Sequence, residues 1–62
     1  MSFKDLESIR VGTILVDNVG VDRRFMGFSL IGEFIITTEP FSYGNAQRWS
    51  ETSIEDWKIK KE

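Results

Sequence analysis

Residues 25 to 38 read Phe-Met-Gly-Phe-Ser-Leu-Ile-Gly-Glu-Phe-Ile-Ile-Thr-Thr, two apolar stretches around a polar and glycine-bearing centre. The β-branched run Ile35-Ile36-Thr37-Thr38, with Gly27 and Gly32 interrupting any helical stripe, favours strands over a helix. A three-residue loop of Leu30, Ile31 and Gly32, with Gly32 in the left-handed conformation of a G1 bulge, closes the pair as a hairpin. Ser29 then faces Glu33, Phe28 faces Phe34, Gly27 faces Ile35, Met26 faces Ile36 and Phe25 faces Thr37. This register gathers Met26, Phe28, Phe34 and Ile36 on the core face. It leaves Phe25, Ser29, Glu33, Ile35 and Thr37 on the outer one.

Shorter elements flank the hairpin. Ser2, followed three residues later by Asp5, has capping spacing for a helical turn that turns Phe3, Leu6 and Ile9 toward the sheet. Val11 to Val16 is rich in β-branched residues and reads as a first strand. Asp17-Asn18-Val19-Gly20 has the short polar side chains and terminal glycine of a turn. Pro40, with no amide hydrogen for a ladder, ends the second arm of the hairpin. A loop bearing Phe41 and Tyr43 follows, then a strand over Ala46 to Ser50. A helical turn at Ser53 to Asp56 precedes a closing strand over Trp57 to Lys60. Trp49 and Trp57 fall where such a small fold needs large core residues.

The fold class is therefore mainly β, with five short strands. The opening Val11-Gly12-Thr13-Ile14-Leu15 and the ending Ser53-Ile54-Glu55-Asp56-Trp57-Lys58-Ile59 resemble an SH3-like small β-barrel. The likeness spans residues 11 to 60 and implies that the last strand returns beside the first, shielding sheet edges. The layout is also similar to that of small bacteriophage and prophage accessory proteins. It lacks the acidic, Tyr-rich ligand loop of the peptide-binding signalling domains. Val19-Gly20-Val21-Asp22 does not match the RNA-binding ribosome-type barrels either. No activity is implied by the likeness.

At 62 residues the chain is one domain, and a domain of that size buries only roughly 60% of its unfolded surface. It has no cysteine for a disulfide and no histidine for the common metal sites, so association with another chain is the remaining means of support. No metal or cofactor is expected. The first six residues lack a signal-peptide pattern, no apolar run approaches membrane-spanning length, and the expected location is cytoplasmic. Eight Lys and Arg against ten Asp and Glu, a net charge of −2, give no basic footprint for strong nucleic-acid binding.

Catalytic chemistry has little to stand on. Histidine is the commonest general base, and the clustered carboxylates Glu51, Glu55 and Asp56 fit a solvated turn better than an acid–base pair. Asp17 to Asp22 does not match a calcium loop, whose glycine stands sixth and whose glutamate stands twelfth; here glycine is fourth and Phe28 is twelfth. The chain is thus not expected to be an enzyme.

The least ordinary feature is the hairpin tip. Loop tips are polar as a rule, whereas Leu30 and Ile31 put two branched aliphatics there. With Phe25 and Ile35 outward, and Arg23 and Arg24 at the strand entry, they form the expected contact surface for a protein partner or a second copy. The function that follows is a non-enzymatic protein-binding module, such as a phage accessory protein or inhibitor of a host protein. The alternative is a nucleotide or single-stranded nucleic-acid site at Phe41, Tyr43 and Arg48, with Arg24 nearby, where rings stack on bases.

Overall fold

The computed structural model describes residues 1–41 and 44–61. The described chain holds a four-residue helix α1 (Phe3–Leu6) and strands β1 (Ile14–Val16), β2 (Asp22–Phe28), β3 (Ile35–Thr38), β4 (Gln47–Trp49) and β5 (Lys58–Ile59). A 3-10 turn at Thr52–Ile54 leads into β5. All strand pairings are antiparallel, in the order β4-β3-β2-β1-β5. The last strand does lie beside the first, with Leu15 opposite Ile59 and Val16 opposite Lys58. The expected barrel is not closed, however: β4 and β5 remain the two edges of one sheet.

Side chains bridge part of that opening instead of a ladder. Trp49 of β4 meets Trp57, just before β5, edge-on at 4.9 Å between ring centroids. The Arg23 guanidinium lies 4.8 Å from the Trp49 ring centroid and 5.8 Å from that of Trp57. Such contacts are worth about 0.5–1 kcal/mol at exposed sites and more where water is excluded. Thr37 accepts a hydrogen bond from the Trp49 indole at 2.8 Å, which satisfies the one polar atom of that ring.

Ser2 starts α1 as its spacing predicts. Its N–H and its hydroxyl both donate to the Asp5 carboxylate, at 2.9 and 3.1 Å, and these bonds lower the Asp5 pKa. The helix is too short to stand alone. It is held by the Phe3 N–H donating to Glu51 at 2.7 Å and by the N-terminal ammonium donating to the carbonyls of Ile54 and Glu55. The 3-10 turn starts two residues earlier than a cap at Ser53 predicts, with Glu51 at the N-cap position, and no side chain caps it.

The hairpin departs from its expected register in a way that brings Phe25, Ile35 and Thr37 inside, while Phe28 keeps its expected place against the core. Arg24 pairs with Thr38 and Phe25 with Thr37, as anticipated near the base, but Gly27 pairs with Ile36 and Phe28 with Ile35. Met26 is an extra residue in β2, a bulge accommodated by Gly27 at a φ of 116°. Because the bulge interrupts strict alternation, Phe25 and Phe28 share one face, with their rings 5.8 Å apart. The tip is correspondingly longer. Ser29 N–H donates to the Phe34 carbonyl at 2.8 Å, so Glu33 joins Leu30, Ile31 and Gly32 in the loop. Gly32 does take the left-handed conformation, at a φ of 75°, and its N–H donates back to Ser29.

The core is therefore Leu6, Leu15, Phe25, Ile35, Ile54 and Trp57, with Phe3, Phe28 and Trp49 packed against it. Phe25 and Ile35, expected outside, are 2% and 0% exposed. Phe34 and Ile36, expected inside, alternate with Ile35 and Thr37 and so lie on the opposite face of β3. Among the described residues no helix is long and apolar enough to cross a membrane. Nor do three or more His, Cys, Asp or Glu among them converge as a metal site.

Candidate functional site

Of the six residues expected to meet a partner, the fold brings only Leu30 and Ile31 to an open surface. Leu30 is fully exposed and Ile31 is 75% exposed. Their backbone is nonetheless well held. The Gly32-to-Ser29 turn bond closes the loop, and the Ser29 hydroxyl accepts the Phe34 N–H at 3.1 Å. The tip thus presents apolar side chains on an ordered turn, which lowers the entropy lost when a partner covers them.

The outer face of the hairpin arm that contains β3 holds residues that the expected register had hidden. Phe34 and Ile36 are half-buried there, and Arg48 of β4 stands opposite Ile36 with its guanidinium 5.7 Å from the Phe34 ring centroid. Arg48, grouped from the sequence with Phe41 and Tyr43 as the alternative ligand site, lies in β4 within the expected strand and on the hairpin side of the molecule. The spacing of Phe25 and Phe28 around Gly27 is the signal that would have found this face. Two rings three residues apart share a strand face only across a bulge.

Arg23 and Arg24 are not placed at the tip. Arg24 stands between Ile14 and Thr38 at the base of the hairpin. Arg23 points into the open end of the sheet. There its Nε donates to Asp17 at 2.9 Å and its Nη1 donates to Gln47 at 2.7 Å. Asp17 is the reason for this arrangement. Its Oδ1 accepts the N–H groups of Val19 and Val21 at 3.0 and 2.9 Å, clamping the turn, while Oδ2 takes Arg23. Burial raises the Asp17 pKa, but the bonds from Val21, Arg23 and Val19 together with the Arg23 charge outweigh it, and the net shift is downward.

A carboxylate whose pKa is lower in the folded state stabilises the fold above its unfolded value of about 3.9. That contribution disappears as pH falls through the lower folded value. Asp17→Asn is thus expected to cost about 1–3 kcal/mol at pH 7, the range for a lost buried charge-assisted bond. Each kcal/mol lowers Tm by roughly 4–8 °C in a domain of this size. Thermal melts of both proteins should differ most at neutral pH and converge below about pH 4. A gap that stays constant across that range would dissociate the clamp from ionisation.

The second surface is a cleft of about 510 Å³ on the outer side of β1 and β2. Phe41, fully exposed, and Pro40 form one wall, while Gly12, Thr13 and Ile14 form another. The Lys60 ammonium, bonded to Asp22 at 2.6 Å, completes it. Tyr43, the other aromatic assigned to this loop, lies outside the described residues. Arg48 is not among the cleft walls, so the expected trio is not assembled. Glu51, the first of the clustered carboxylates, is occupied by the Phe3 N–H. Compared with protein-family models, with curated proteins and with solved structures, the chain matches none.

Proposed function

We propose that this protein is a non-enzymatic protein-binding module that works by covering a surface of another protein, in the manner of a phage accessory protein or inhibitor. The observation that carries the reading is the pair Leu30 and Ile31, two branched aliphatics standing free on a hydrogen-bonded turn. An isolated exposed aliphatic is ordinary, but two adjacent ones at a loop tip are of the kind that marks a contact site. Arg48, lying over Phe34, supplies the polar anchor common in such interfaces. An SH3-like assignment is part of the same reading. It is supported by β5 lying beside β1 and by the 3-10 turn that precedes β5.

Affinity capture with the intact protein as bait, with and without nuclease, tests the proposal. The expected result is a protein partner, or a second copy of the bait, retained equally in both samples. Recovery that depends on nucleic acid would overturn it.

The cleft at Phe41 favours a second reading, a nucleotide or single-stranded nucleic-acid site. An exposed ring beside an ammonium suits a stacked base with its phosphate, and stacking is worth about 1–3 kcal/mol per base. For this reading, intrinsic fluorescence should titrate with an oligothymidylate at low salt and lose the response steeply as salt rises. A flat titration of wild type, or one unchanged by Phe41→Ala, rejects it.

A further inference from the structure

We infer that the free edge of β5 is an acceptor for an extended acidic polypeptide segment, which adds to the sheet as a sixth strand. The backbone provides the first argument. Lys60 N–H donates to the Ile14 carbonyl at 2.9 Å, so Lys60 and Ile14 are a hydrogen-bonded pair of the antiparallel ladder. The neighbouring pair Ile59 and Leu15 is then the non-bonded kind, and the N–H and C=O of Ile59 point away from β1. They form one matched donor and acceptor on an open sheet edge.

The surface along that edge provides the second argument. A groove of about 800 Å³ follows β5, with an apolar floor that includes Val16, Trp57 and Ile59. Ile59 is the exposed member of this floor, and a strand laid along the edge covers it. Apolar side chains at alternate positions of the added segment have a place to go.

Charge selects the occupant. Lys58, Lys60 and Lys61 rim the groove, three of the eight basic side chains in a chain that is acidic overall. Lys60 is bonded to Asp22, and Asp5 across the groove is held by Ser2. Lys58 and Lys61 have no ion pair among the described residues. A second copy adding through its own β5 sets lysine against lysine, which opposes pairing, whereas a strand with Glu at alternate positions sets opposite charges across the ladder. The segment that fits is extended, alternates acidic with apolar residues and belongs to another protein. This site is separate from Leu30 and Ile31 and does not depend on the role proposed for them.

The test is a titration of the isotopically labelled full chain with a blocked heptapeptide of alternating Glu and Val, followed by amide chemical shifts and hydrogen exchange. The Ile59 amide is expected to shift and to exchange more slowly. Lys58→Glu with Lys61→Glu should weaken the acidic peptide about tenfold or more and favour the matching Lys-Val peptide instead. Ile59→Pro removes an N–H that β1 does not use, and should abolish binding with the remaining spectrum preserved. Should the charge-reversed protein lose its dispersed spectrum, the wild-type comparison of the two peptides decides the matter. Equal binding of Glu-Val and Lys-Val peptides, or shifts confined to Leu30 and Ile31, overturns the proposal.

Discussion

Phe25→Ala is expected to leave about half of the protein unfolded at 25 °C. Phe25 is 2% exposed and stands at the centre of the sheet, in edge-to-face contact with Phe28, which in turn meets Phe3 of the N-terminal helix at 5.4 Å. Truncating a buried phenylalanine costs about 3–5 kcal/mol through lost transfer energy and the cavity left behind. A single core in a domain below about 70 residues rarely supplies more than about 3–5 kcal/mol in total. The two quantities are equal within their spread, so the net stability falls to about zero and the folded and unfolded populations become comparable. Far-UV circular dichroism and denaturant titration measure this directly. A cooperative melt less than about 10 °C below wild type would mean that the ring is not part of the core.

Ile31→Asp is expected to do the opposite, sparing the fold and removing the interaction. The side chain is 75% exposed at the tip, and surface substitutions of this kind stay within about ±0.5 kcal/mol. In a complex, the same change places an unpaired carboxylate in an apolar contact. Loss of a central anchor costs about 2 kcal/mol or more, near 30-fold in affinity. Thermal melting should be superimposable on wild type while partner capture, or self-association in sedimentation, is lost. Phe41→Ala, on the cleft side, serves as the control that leaves capture intact. Identical capture and sedimentation for wild type and Ile31→Asp would remove the tip from the interface.

Phe25 and Ile31 stand together in the expected contact surface but have opposite fates in the fold, and the reason is local. Both arms of the hairpin have apolar residues at odd and even positions, so a shift of one residue exchanges their faces at little cost in local pattern. Phe25, Met26, Phe28, Phe34, Ile35 and Ile36 satisfy either register. The bulge at Met26 and Gly27 decides between them, because it lets Phe25 and Phe28 both reach the core and leaves Phe34 beside Arg48 outside. Arg23 is a similar case. Read along the chain it is half of a basic pair. In space it joins Asp17, Gln47, Trp49 and Trp57, drawn from three separate segments.

The amino-acid sequence alone determined the elements that rest on short-range chemistry. Ser2 with Asp5 starts the helix, Asp17 to Gly20 makes the first turn, Gly32 supplies the left-handed bend, and Pro40 follows the end of β3. It also marked Trp57 as core and left Leu30 and Ile31 at an exposed bend. Only the tertiary structure decided which face of the hairpin is buried, that β4 and β5 stay open as edges, and that Arg23 lies against both tryptophans. Turns and caps are settled by the backbone preferences of neighbouring residues. Facing and edge pairing depend on which distant side chains fill the same volume, and that competition is resolved only when the whole sheet packs.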